Sequence, residues 1–181
     1  MITITDSDRL TYRLMTLEDG DLFYELDQDP AVMKHINGGK ASTREDIETI
    51  ALPRLAKYLN PEKGWGLWQV NEKSTQQFLG WILVRPYQFF SEQPHWHNLE
   101  LGWRFKQITW GKGYATEAAQ HILNALTEQS DATHFCAIAE EANLGSIAVM
   151  KKLGMEYVRS YTHHDPMGDW EVVYYEKNAA L

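Results

Sequence analysis

The chain has 181 residues, 44% of them hydrophobic and 23% charged, which fits one domain spanning 1–181 with a core that removes about 70% of the unfolded surface from water. A formal net charge of −8 supplies no basic face for a phosphate backbone, so it argues against a nucleic-acid partner and favours cationic small molecules or basic peptides. The single cysteine, Cys136, rules out an intrachain disulfide, and the longest apolar run, Phe78 to Val84, is far below a membrane span, so no membrane partner and a cytoplasmic location are expected.

Leu10 to Met15 alternates as a strand, and Thr16 is placed to cap a helix whose stripe is Leu22, Phe23 and Leu26. A second helical piece follows Pro30 and stops at Asn37-Gly38-Gly39. Ser42-Thr43-Arg44-Glu45 reads as a capping box with Ser42 as cap and Glu45 three residues on, opening a helix that Pro53 interrupts or kinks. Strands are expected from Gly64 to Val70 and from Phe78 to Val84, paired as a hairpin, with Gly80 marking a bulge or a close approach.

After an aromatic loop comes the strand Asn98 to Phe105. Asn98, Glu100, Gly102 and Arg104 share one of its faces, and Leu99, Leu101, Trp103 and Phe105 the other. The pattern breaks at Trp110-Gly111-Lys112-Gly113 and restarts with helical spacing at Ala115, Ala118, Ala119, Ile122, Leu123 and Leu126. Two glycines two apart remove the side chains that keep a ligand from the main chain, and the first N–H groups of a helix have no internal partners. Phosphate or pyrophosphate is the natural guest, helped by the helix dipole and by Lys112. The pattern is neither a Walker loop nor a full dinucleotide fingerprint.

Residues 134–140 form the next strand, with Cys136 as a small core residue, and Asn143 caps a short helix that Gly154 closes. Tyr157 to Tyr161 and Trp170 to Glu176 alternate as two final strands, joined by a loop containing His163-His164-Asp165. Neither this cluster nor His95-x-His97 has a supporting partner at ligand spacing, so no metal is expected.

Gly102-Trp103, Trp110-Gly111-Lys112-Gly113-Tyr114-Ala115-Thr116-Glu117-Ala118, Asn143-x-x-Ser146 and Lys152-Leu153-Gly154-Met155, in this order over nearly the whole chain, resemble the acetyl-CoA-dependent N-acetyltransferases of the GNAT superfamily. Within it they are similar to the subgroup related to ribosomal-protein N-terminal acetyltransferases. Two departures stand out: Trp110 replaces the Gln or Arg that opens the family's glycine motif, and Lys106-Gln107 stands where relatives carry Arg-Pro. The resemblance implies an α/β (α+β) fold with a central, mixed, mostly antiparallel, splayed seven-stranded sheet and about four helices. It also implies an enzyme, with acetyl-CoA as co-substrate and an amine as partner, monomeric or homodimeric.

Site residues follow from the same resemblance. Main-chain N–H groups of Gly111, Lys112, Gly113, Tyr114, Ala115 and Thr116 would hold the pyrophosphate, and those near Phe105 and Lys106 would face the developing oxyanion where the strand splays. Asn143 would bond the pantetheine arm, and Ser146 would lie near the sulfur and donate to the leaving thiolate. Residues from His35 to Lys57 would shape the acceptor pocket. An alkylammonium of ordinary pKa is of the order of one part in a thousand neutral at pH 7, so a base is needed. Glu100 is the first candidate, with His95, His97 and Glu117 behind it. The acceptor is open between a protein N-terminus and a small cationic amine such as a polyamine, an antibiotic or an amino acid. A non-catalytic acyl-CoA-binding module is the rival from another class.

Overall fold

Residues 1–179 are described by a computed structural model in which period-two alternation resolves into seven strands. These are β1 (Leu10–Leu14), β2 (Gly66–Glu72), β3 (Phe78–Tyr87), β4 (His95–Phe105), β5 (His134–Ala139), β6 (Glu156–Asp165) and β7 (Gly168–Asn178). They lie in the order β1-β2-β3-β4-β5-β7-β6, antiparallel throughout except for β4 against β5. The expected mixed, mostly antiparallel sheet is present.

The parallel pair is short. Asn98, Leu99 and Glu100 register with His134, Phe135 and Cys136, and there the pairing ends. Both strands run on, each held only by its outer neighbour: β4 by β3 as far as Phe105 opposite Gly80, β5 by β7 as far as Ala139 opposite Val173. The sheet is therefore split at its centre, as the expected splay requires.

Helices α1 (Gly20–Asp27) and α2 (Pro30–Asn37) follow β1. Next come α3 (Arg44–Asp46), a π turn (Ile47–Ala51) and α4 (Leu52–Tyr58), continuous as one helix, and later α5 (Tyr114–Gln129) and α6 (Leu144–Lys152). Pro53 explains the π turn. It brings no N–H to the ladder, and the Leu52 N–H reaches back five residues to the Ile47 carbonyl. The capping box falls one residue later than expected, on Thr43 and Asp46, whose side chains bond each other's backbone N–H. Thr16 does not cap α1; its N–H and hydroxyl both donate to Asp19 in the turn before the helix. His163, His164 and Asp165 lie on β6 rather than in a loop, because β6 and β7 extend until only Pro166 and Met167 separate them. No described helix is long and apolar enough to cross a membrane.

The faces of β4 part as the alternation predicts. Leu99, Leu101 and Phe105 join the core under α5, where Ala118, Ala119, Ile122, Leu123 and Leu126 are buried. The small alanines let that helix lie close to the sheet. A second core under α1 to α4 gathers Met15, Phe23, Leu26, Leu55, Leu67 and Trp81.

Gly80 marks a close approach of β3 to the end of β4. A Cβ there would stand 2.3 Å from the Arg104 carbonyl oxygen and 2.7 Å from the Phe105 Cα, both backbone atoms that cannot swing aside. Gly80→Ala is expected to lower stability by about 2–4 kcal/mol, read as a fall in the urea midpoint at unchanged slope.

Candidate active site

The turn between β4 and α5 is left-handed at both glycines, with φ of +74° at Gly111 and +79° at Gly113. Glycine takes that conformation without strain, and the six N–H groups from Gly111 to Thr116 have no acceptor among the described residues. Such a run at the start of a 16-residue helix is an anion site. Gly111, Gly113, Tyr114, Ala115 and Thr116 line a cavity of about 750 Å³, which is within the range of small-molecule sites.

From the loop the cavity reaches the gap between β4 and β5. The Lys106 N–H donates toward β3, to the Leu79 carbonyl at 2.9 Å, so strand alternation turns the Phe105 N–H the other way, into the gap. Phe105 and Trp103 line the cavity there. On the far wall Asn143 caps α6, its Oδ1 accepting the Ser146 N–H at 3.2 Å. Its amide NH₂ has no protein acceptor among the described residues and remains available as a donor. Ser146 Oγ accepts from the Trp103 indole N–H at 3.2 Å, which leaves the hydroxyl hydrogen free to donate. On the third side Val32, His35 and Ile36 of α2 close the wall, and His35 bonds Glu140 at 2.9 Å across from the loop after β5. Of the specificity segment expected at His35 to Lys57, only His35 and Ile36 reach this cavity.

Two residues expected to touch the cofactor do not line the cavity. Lys106 spends its N–H on β3 and its ammonium on Glu25, and does not line the cavity. Lys112 is also outside the lining; its carbonyl accepts from Arg9, and its N–H is one of the six free groups of the loop. Among the base candidates, His95 and His97 lie at the opposite end of β4 from the gap. Glu117 is fully engaged by Arg9 and Ser7: its carboxylate accepts from the Arg9 N–H at 2.8 Å, Arg9 Nε at 2.7 Å and the Ser7 hydroxyl at 2.8 Å. Burial works against its charge, but these bonds outweigh burial and hold the carboxyl below the usual carboxylate range.

Glu100, 4% exposed, lies on the face of β4 that looks toward α4, outside the large cavity. It pairs with Arg85, its cross-strand partner, at 3.2 Å and 3.5 Å. Beside them Arg54 of α4 holds Asp165 of β6 through two bonds of 2.9 Å and 2.6 Å. Arg85, Glu100 and Asp165, together with Phe90 and His163, are among the walls of a second cavity of about 10 Å³, the room of a single water. Burial lowers His163 below its ordinary value and so favours the neutral ring. Burial would raise Asp165, but Arg54 and the Met167 N–H prevail and hold its carboxyl down.

Spacing alone does not single out Trp103 or the α2 residues before His35 as parts of the site. Trp110, the departure from the family pattern, lines the cavity and also serves the strand. Its indole N–H donates to the Phe105 carbonyl at 3.0 Å and closes the end of β4.

Comparison with known proteins gives a consistent picture. A family model described as an acetyltransferase (GNAT) domain matches residues 9–156. The uncharacterized N-acetyltransferase YnaD of Bacillus subtilis (strain 168) is 32% identical over 169 residues, with 92% of each chain covered. The crystal structure of a GNAT-family acetyltransferase from Bacillus anthracis matches with a TM-score of 0.76 at 26% identity, over 98% of this chain and 99% of that one. Aminoglycoside acetyltransferase AAC(6')-Ib, solved with coenzyme A and kanamycin, shares the fold with a TM-score of 0.72 at 18% identity, over 93% of this chain and 94% of that one.

The Arg54–Asp165 pair ties the helical layer to the last hairpin, and its contribution depends on pH. A carboxyl held below its ordinary value stabilises the fold fully above the unfolded pKa of 3.8, and that stability is lost as pH falls through the folded value. Asp165→Asn is expected to cost about 3 kcal/mol at neutral pH, because it strands Arg54. In urea titrations the gap from wild type should hold from pH 7 to about pH 5 and close in more acidic solution.

Proposed function

The chain belongs to the GNAT acetyltransferase family, and we propose that it transfers acetyl from acetyl-CoA to a primary amine by direct attack, without a covalent enzyme intermediate. The observation that carries this reading is the run of six free N–H groups from Gly111 to Thr116, opening into a cavity continuous with the gap between β4 and β5. The N–H groups are suited to the pyrophosphate of the donor, and the gap to its extended arm, which can bond unpaired main-chain groups as an added strand does. Asn143 has an amide NH₂ to offer that arm.

Attack by the amine nitrogen on the thioester carbon forms a C–N bond and places negative charge on the carbonyl oxygen, for which the Phe105 N–H is the donor in the gap. Collapse breaks the C–S bond. The Ser146 hydroxyl, oriented by Trp103, then donates a hydrogen bond to the departing thiolate, which finally takes up the proton lost by the amine. Proton removal is assigned to Glu100, acting through water, since the carboxylate lies beyond direct reach of the large cavity.

For the acceptor we favour a protein N-terminal amine, on the resemblance to ribosomal-protein N-terminal acetyltransferases. A small cationic amine is the second reading, favoured by the net charge of −8 and by the fold shared with an enzyme solved with kanamycin.

Isothermal titration of acetyl-CoA into the wild type and a Gly113→Glu variant tests the donor site. The wild type should bind, and the variant, with a carboxylate at the anion site on strained backbone, should lose at least about a hundredfold in affinity. No binding by folded wild type would overturn the transferase reading. Binding without thiol release against any amine would leave a non-catalytic acyl-CoA module.

A further inference from the structure

We propose that Arg9, in the segment leading into β1, is a positioning residue that presents the Gly113 N–H to the donor's pyrophosphate. The proposal rests on the donor site described above. Arg9 Nη1 donates to the Lys112 carbonyl at 2.9 Å. No described peptide bond is cis, so the N–H of the Lys112–Gly113 peptide points opposite to that carbonyl, away from Arg9. Gly113 lines the cavity and its N–H has no other acceptor, so fixing the carbonyl outward fixes the N–H inward.

The loop needs such a clamp because of its own sequence. With glycine on both sides of Lys112, the backbone on either side of residue 112 is among the least restricted in any chain, and the peptide plane can turn over cheaply. Flipping it would put a carbonyl dipole where the anion sits. Arg9 is itself held against turning: its Nε is bonded to Glu117 of the first turn of α5, its main-chain N–H to the same carboxylate, and its guanidinium lies 4.3 Å over the Tyr114 ring. Tyr114 is tied in turn to Glu72 of β2 by its hydroxyl at 3.0 Å. One planar fork thus joins the start of the chain, the first turn of α5 and the peptide between the two glycines. A lysine ammonium, a point charge with no fixed fork, cannot reproduce that geometry.

The test uses coenzyme A as probe on the full chain, with Arg9→Met and Arg9→Lys as variants and thermal unfolding of each ligand-free protein as the check on folding. Both variants should bind coenzyme A about tenfold more weakly by titration calorimetry, equivalent to about 1.4 kcal/mol. In nitrogen-15 amide spectra the Gly113 resonance, which should move on adding coenzyme A to wild type, should move less in both variants. Such a local loss would not follow from a general weakening of the fold. Equal affinity in wild type and variants overturns the proposal, as does weaker binding with an intact Gly113 response. Failure of the folded wild type to bind coenzyme A overturns the donor site and the proposal together, whereas binding unaffected by the variants overturns the role of Arg9 alone.

Discussion

Everything distinctive about this molecule depends on one interrupted ladder. β4 and β5 share three residues of parallel pairing and then separate, although both continue as strands. A parallel pair buried at the middle of a sheet normally keeps its hydrogen bonds, since unpaired main-chain groups without water are costly. Here alternate main-chain groups between Leu101 and Phe105, and between Ala137 and Ala139, face a gap, and each strand keeps its shape only through its outer neighbour. Gly80 contributes to this at a distance: without a side chain it lets β3 approach the end of β4 closely enough to hold it in place.

The two helical layers meet this gap differently. On one side α5 and α6 bring two helix N-termini to the cavity, one with open N–H groups and one capped by Asn143. On the other, α2 supplies an apolar wall with His35, while α4 is fastened to β6 by a partly buried guanidinium–carboxylate pair. Arg54–Asp165 and Arg85–Glu100 are neighbours, and Arg54 and Arg85 lie 4.0 Å and 5.4 Å from the Phe90 ring. A buried ion pair such as Arg85–Glu100 adds little to stability over an apolar core, yet removing one partner is costly, and the partly buried Arg54–Asp165 pair follows the same rule more weakly. Their effect is to fix where the helical layer sits relative to the split sheet.

Much of this is legible in the residues. The Trp110-Gly111-Lys112-Gly113 break announces itself because both the period of the strand before it and that of the helix after it stop there. The faces of β4 follow from alternation alone, and Asn143 and Gly154 mark the ends of α6 as capping chemistry predicts. What spacing does not reveal is set by register between distant segments. Lys106 is turned from the gap because its N–H meets Leu79, and Glu100 is drawn from solvent because Arg85 lies directly across from it on β3. Arg9 lies more than a hundred residues from Glu117 in sequence, and no local pattern joins them. The one-residue slip of the capping box, from Ser42 to Thr43, shows a finer limit: adjacent hydroxyl residues followed by adjacent acids satisfy the same motif twice, and only the path of the chain from α2 selects one.

A sheet is ordinarily a partition: molecules on its two sides do not touch. The gap between β4 and β5 makes this one a wall with a window, reached from the α5 and α6 side by the glycine loop and from the opposite side past α2. In the proposed reaction, donor and acceptor would approach that window from different faces of the sheet, and direct attack needs both present at once. His35 of α2 bonds Glu140, just past the end of β5, across the frame of that window. Passage from one face of the sheet to the other thus depends on where the pairing of β4 with β5 stops, after Glu100 and Cys136.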